Sequence, residues 1–168
     1  ETTEEYLRRA DAVCPVTAIE NRYSMMARWH ESLFSVCEEL DVAYVAFSPM
    51  ANGFLTGKYT PNTKFEGKYD YRAGMPQYTE AGYEKAKGLL TLLSELAEEK
   101  HATMGQLSLA WMICKKPYII PIPGSRKLER LQENLEAGNI VLTQDEIAKI
   151  DTELNSMSFE VFGGHKMK

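Results

Sequence analysis

The sequence predicts an α/β fold built on parallel strands. Two observations carry that expectation. Helical periods alternate with short apolar runs of β-type residues along the chain. Two of those runs, "VAYVAF" at 42–47 and "YIIPI" at 118–122, are continuously apolar rather than alternating. Such runs suit strands covered on both faces, as in parallel sheets. Helix–strand alternation of this kind predicts parallel pairing through right-handed crossovers.

The chain opens with "TTEEYLRRADAV", read as a helix with a Thr2–Glu5 capping box and with Tyr6, Leu7, Ala10 and Val13 on one face. A first strand follows at 15–21. Residues 30–41, "HESLFSVCEELD", form an amphipathic helix with Leu33, Phe34, Cys37 and Leu40 in one stripe. The second strand is 42–47. Residues 48–82 are rich in Gly, Pro, Asn and Tyr and have no period, so they read as a long functional or mobile loop. A helix over 83–100 turns Ala86, Leu89, Leu90, Leu93, Leu96 and Ala97 inward. Thr103 with Gln106 caps the next helix, which runs through Trp111 to Cys114. After the strand at 118–122 comes a helix from about 127 to 135. Thr143 with Glu146 caps a last helix carrying Ile147, Ile150 and Leu154, and 158–168 is a tail.

The length of 168 residues fits one domain with a real core. The chain is 44% hydrophobic and 26% charged, which is globular usage. A net charge of -5 argues against nucleic acid or an anionic membrane as a general partner. Cys14, Cys37 and Cys114 are odd in number and widely spaced, which suits a reduced, cytoplasmic protein. No apolar run approaches the ~20 residues that span a bilayer. The acidic, helical N-terminus is unlike a signal peptide and lacks an initiating Met, so the expectation is a chain that begins inside a larger protein or after processing. His30, His101 and His165 are isolated and lack metal-ligand spacing.

Ligands of α/β folds bind at the carboxyl ends of strands, so three junctions hold the candidate chemistry. In "IPIPGSRKLERLQEN", Gly124 permits a tight turn, and Ser125 and Arg126 stand near a helix start that favours anions. Lys127 and Arg130 add charge, and Arg grips phosphate bidentately. Phosphate binding and a plain solvated helix start both fit. In "FSPMANGFLTGK", Gly53 and Gly57 allow close backbone approach to a ligand, and Phe47 offers either a stacking face or the last core side chain of a strand. The stretch lacks the spacing of a Walker loop. In "IENRYSMM", Glu20 is either an acceptor for an amide or half of a weak surface pair with Arg22.

Together, "PVTAIENRYSMM", "VAFSPMANGFLTGKY", "DYRAGMPQYTEAGYEK" and "IPIPGSRKLERLQEN" resemble an aldo-keto reductase, in that family's order and at its separations, over essentially the whole chain. The resemblance implies that residues 1–168 are the C-terminal portion of a single (β/α)8 TIM barrel domain, running from the helix after barrel strand five. It implies NADP(H) bound in an extended conformation. Phe47 then matches the ring that stacks on nicotinamide. Ser48, Pro49, Met50, Asn52, Gly53 and Lys58 match the stretch along the pyrophosphate. Gly124, Ser125 and Arg126 match the loop around the adenosine 2′-phosphate, and Arg130, Glu133 and Asn134 match helix positions contacting that phosphate and the adenine. The basic grip implies NADP over NAD.

Glu20 departs from the family's usual Gln beside the nicotinamide carboxamide; its charge should favour the positively charged oxidised ring. The family's catalytic Asp, Tyr, Lys and His lie on its first four strands and match nothing here. The implied activity is therefore NADPH-dependent reduction of a small carbonyl substrate, with this chain supplying the cofactor-binding half. A catalytically inactive NADP-binding fragment and a regulatory member of the fold are the alternatives. Three strands cannot close a barrel, so the expected partner is the missing N-terminal half, or a further copy associating through open sheet edges. Tyr23, Met26, Trp29, the loop around Met75 and Tyr78, and the tail near Phe162 are expected at the rim of the substrate pocket, with packing an equally good reading for Met26 and Trp29.

Overall fold

The computed structural model describes residues 1–67, 70–158 and 160–162, with the backbone of 165–166. Its centre is a three-stranded parallel sheet of β1 (Ala18–Arg22), β2 (Ala43–Phe47) and β3 (Ile119–Pro121) in the order β1-β2-β3. The register sets Glu20, Val45 and Ile120 in one row and Arg22 beside Phe47 in another. Six helices surround it: α1 (Glu4–Asp11), α2 (Phe34–Leu40), α3 (Glu80–Glu99), α4 (Met104–Lys115), α5 (Leu128–Glu136) and α6 (Gln144–Ser156). The C-terminal tail holds a two-residue antiparallel pair, β4 (Glu160–Val161) with β5 (His165–Lys166).

Side chains alternate across a strand, and this sheet uses only one of its faces. Ile19, Asn21, Tyr44, Ala46 and Ile119 are buried toward the helices. Glu20 is exposed, Val45 and Phe47 are half-buried, and Ile120 and Ile122 are 50% and 45% exposed. Apolar runs of this kind suit strands covered on both faces, and because three strands cannot close a barrel the second face is expected to meet water; among the described residues it does.

Between the sheet and α4 sits an aromatic cluster. Trp111 stacks on Tyr23 with centroids 5.6 Å apart, and Tyr23 meets Phe34 and Tyr44 edge-on at 5.2 and 5.7 Å. Two of its polar edges are paired: Trp111 Nε1 donates to Asp151 at 3.0 Å, and Tyr23 Oη donates to Glu31 at 2.7 Å. Burial and the adjacent Glu31 carboxylate both raise the Tyr23 phenol above its ordinary value. Lys115 closes the network against Glu31 and Asp151 at 3.0 and 3.2 Å. Tyr23 is therefore a core side chain on the helix side and not at the expected substrate rim, and buried Met26 takes the packing reading. Trp29, half-buried, leans edge-on against Phe162.

The capping boxes at Thr103–Gln106 and Thr143–Glu146 both form as the sequence predicts. The one at Thr2–Glu5 does not. Thr3 is the N-cap of α1 and makes no side-chain cap bond. Thr2 instead pairs its backbone with the buried Asn21 side chain, donating to Oδ1 at 2.6 Å and accepting from Nδ2 at 3.2 Å. Of the predicted α1 face only Leu7 is buried; Tyr6 and Val13 stand 63% and 89% exposed. The first strand starts later than predicted, at Ala18, and the helix predicted at 30–41 splits into a one-turn 3-10 segment and α2. α3 begins earlier than its apolar period, because Thr79 accepts from the Gly82 N–H at 3.1 Å and caps it.

Residues 48–78 are not a bare loop. They pack aromatic side chains onto the main core. Phe54, Tyr59, Phe65, Tyr78 and Tyr83 meet at centroid distances of 4.7 to 6.5 Å along their contacting pairs. Three 3-10 segments, Ala51–Thr56, Tyr71–Gly74 and Pro76–Tyr78, carry the backbone. Aromatic packing without a period left no pattern that propensity could detect.

Candidate functional site

The segment that leaves β2 turns at once into the left-handed region. Ser48, Ala51 and Asn52 have φ of 53°, 50° and 59°, and Gly53 and Gly57 follow at 97° and 67°. Non-glycine residues there are strained, and such strain collects where structure serves a ligand. The surroundings hold the segment in place. Pro49 O accepts from buried Ser108 of α4 at 3.3 Å, Tyr78 Oη donates to Asn52 O at 3.0 Å, and Thr56 Oγ1 donates to Gly53 O at 2.6 Å. A Cβ on Gly53 would lie 3.0 Å from the Tyr59 ring at a φ that side chains resist. Gly53→Ala is expected to cost about 1–3 kcal/mol, read as a lower urea midpoint with an unchanged m-value.

These turns form one wall of a groove of about 910 Å³, within the ~300–1,000 Å³ range of small-molecule sites. The segment after β3 forms the opposite wall. Ser48, Pro49, Met50, Asn52, Gly53, Lys58, Gly124, Arg126, Arg130, Glu133 and Asn134 all line it. The groove thus joins two of the three junctions singled out in the sequence. Arg126, Arg130 and Lys58 are exposed, and among the described residues none has a carboxylate partner at ion-pairing distance. α5 begins at Leu128, so Arg126 lies ahead of the helix and does not share a helical face with Arg130. The two converge on the groove instead.

Glu20, Phe47 and Ser125 fall outside the groove. Glu20 and Phe47 stand on the sheet face turned away from the helices, where Glu20 is exposed and Phe47 half-buried. Among the described residues, the Glu20 side chain has no hydrogen-bond or ion-pair partner, so the Glu20–Arg22 pair does not form. Ser125 Oγ turns back on its own chain, accepting from the Lys127 N–H at 3.2 Å. Glu133 lines the groove yet also serves α4, accepting from Thr103 Oγ1 at 2.8 Å.

Sequence reasoning missed the third wall. Tyr59, Asp70, Tyr71 and Arg72 also line the groove. Arg72 grips Asp70 through Nε and Nη2 at 2.8 and 2.5 Å, donates to Tyr59 Oη at 2.7 Å, and lies over the Tyr59 and Phe65 rings. The Arg72 guanidinium holds the Asp70 carboxyl below the usual carboxylate range. Asn52 Nδ2 donates to Tyr71 Oη at 2.9 Å, tying this strap to the β2 turn. The "DYR" triplet carried the only available signal: an acid and an arginine two apart among tyrosines. Among the described residues there is no cluster of metal-binding side chains, and no helix is long and apolar enough to cross a membrane.

Parallel strands with helices on one face, and a groove carrying Lys58, Arg126 and Arg130 at the strands' carboxyl ends, define part of an α/β barrel. The aldo/keto reductase family model matches residues 1–155, and the chain belongs to that family. It is 36% identical over 154 residues to the aldo-keto reductase str7 of Strobilurus tenacellus, covering 89% of this chain and 46% of that protein. It is 34% identical over 155 residues to the aldo-keto reductase yakc [NADP(+)] of Schizosaccharomyces pombe, covering 89% and 45%. The glycerol dehydrogenase AKR11B4 from Gluconobacter oxydans shares the fold with a TM-score of 0.84 at 22% identity, over 94% of this chain and 48% of that one. The thermostable aldo-keto reductase Tm1743 does so with a TM-score of 0.68 at 24% identity, over 91% and 46%. The chain spans about half the length of the relatives it matches.

Proposed function

We propose that this chain is the NADP(H)-holding half of a carbonyl-reducing aldo-keto reductase barrel. The observation that carries the reading is the groove itself: one continuous site that has unpaired cations at its β3 end and leads to an aromatic ring at its β2 end. Arg126 and Arg130 supply the charge and planar donors that a 2′-phosphate needs. The preset turns of 48–57 let backbone approach a pyrophosphate closely. Phe47 offers a ring face at the end of β2. Glu20, on the same sheet face, can accept from a carboxamide N–H, and its charge favours a cationic ring over a neutral one. Bound in this way, NADP(H) supplies the hydride for reduction at a carbonyl carbon.

The proton for the developing alkoxide has to come from an acid held close to that carbon. No residue lining the groove takes that part in this reading; its two tyrosines, Tyr59 and Tyr71, accept from Arg72 and from Asn52 Nδ2. The acid is assigned to the remaining half of the barrel, which would also cover Val45, Ile120 and Ile122. This chain alone is expected to show no NADPH-dependent reduction of 4-nitrobenzaldehyde. Mixing it with a polypeptide corresponding to the other half of a matched relative should produce turnover and a 1:1 complex by light scattering. Turnover by this chain alone defeats the half-site reading, and a mixture that neither associates nor turns over does so equally.

A further inference from the structure

Arg22 ends β1 directly beside Phe47 in the parallel register. Its guanidinium carbon lies 4.9 Å from the centre of the Phe47 ring and 4.6 Å from that of Phe162. The tail delivers Phe162 to this place deliberately: Val161 is fully buried, and the Phe162 N–H donates to Gln77 Oε1 at 3.2 Å. A guanidinium held between two rings spends its faces on stacking and keeps its in-plane N–H donors free. Among the described residues the guanidinium makes one hydrogen bond to a side chain, a long one of 3.5 Å from Nη1 to Asn52 Oδ1, while the Glu1 carboxylate accepts from the Arg22 backbone N–H at 3.3 Å. Among the described residues no carboxylate pairs with the guanidinium within 4.0 Å. Burial lowers the Arg22 pKa, a penalty on the charge that an arriving anion would relieve.

From this sandwich we infer that Arg22 is a specificity residue that grips the carboxylate of an anionic carbonyl substrate, an oxo-acid or a carboxylated aldehyde. The inference rests on Phe47 marking the nicotinamide end of the site, as proposed above. Two sources of anion fit the donors: a substrate carboxylate and the cofactor pyrophosphate. The substrate is favoured because Arg22 stands on the open sheet face and does not line the groove, whose wall is the 48–58 segment.

The test measures binding of 4-carboxybenzaldehyde and of neutral benzaldehyde to this chain saturated with NADP+, by saturation-transfer NMR titration. The charged aldehyde should bind about tenfold more tightly, as one charge-assisted contact provides. Arg22→Gln keeps a planar, stacking end without the charge and should bring the two affinities together. Arg22→Lys keeps the charge without the fork and should retain part of the preference. No preference in the wild type, or a preference that survives Arg22→Gln, overturns the inference. So does a loss of ADP affinity in Arg22→Gln with the aldehyde preference intact, which would give the guanidinium to the pyrophosphate. Binding of 2′-AMP reports separately on the cofactor reading: its failure in the wild type sinks that reading, whatever the aldehydes do.

Discussion

Arg126→Ala and Arg130→Ala should each weaken NADP+ binding by about 10–30-fold while changing NAD+ binding less than about twofold. A hydrogen bond to a charged group contributes about 1.5–3 kcal/mol, and 1.4 kcal/mol is tenfold in affinity. The 2′-phosphate is the only charge that separates the two cofactors, so the loss should fall on one and spare the other. Both side chains are exposed and have no internal carboxylate partner, so their removal leaves no buried group stranded and the fold should be unaffected. Rising salt should weaken NADP+ binding more in the wild type than in either variant. Fluorescence titration of both cofactors at two salt concentrations reads all of this. An equal loss for NADP+ and NAD+ would remove the assignment of this end of the groove.

The largest expected effect on stability comes from Trp111→Ala. Trp111 is fully buried, stacked on Tyr23, and bonded to Asp151. Truncating a buried Trp costs about 3–5 kcal/mol, against a typical total of about 5–15 kcal/mol. Trp111→Phe keeps a ring against Tyr23 and loses the indole donor, at about 1–2 kcal/mol. Asp151 would retain Lys115 as a partner, which limits the second cost. Urea denaturation followed by far-UV circular dichroism should rank wild type above Trp111→Phe above Trp111→Ala. Equal midpoints for the two variants would mean that the indole N–H, not the packing, carries Trp111.

The strands and most helices were legible because their signals are local. Continuous apolar runs marked β2 and β3, and two S/T-x-x-E/Q boxes marked α4 and α6. The failures have physical causes. Thr2 had the right spacing to Glu5 for a cap, but buried Asn21 offered its backbone better partners, and no local pattern reports a partner so distant in sequence. Apolar content shows that both strand faces want cover, and the count of three strands shows that this chain leaves one of them to water. The groove was legible in its β2 and β3 walls, where glycines and unpaired cations cluster. Its third wall was not, because Arg72, Asp70 and Tyr59 work only once the aromatic residues of 54–83 have packed together. Arg22 enters the sequence reading only through one alternative for Glu20, a weak surface pair, since nothing local to it shows that a ring 140 residues away, Phe162, closes over it.

The sequential strand order has a consequence for how the molecule assembles itself. β1 and β2 are joined by one short helical connection, whereas β2 and β3 are separated by the strap, α3 and α4. Longer closures are slower, because chain entropy must be lost before the contacts that reward it can form. The β1–β2 pair should therefore dock first and β3 last. Both long walls of the groove flank that late closure, so the groove exists only after the slowest step. A nucleotide that fits it cannot template early folding; it acts afterwards, by slowing the detachment of β3 and making the whole sheet harder to open.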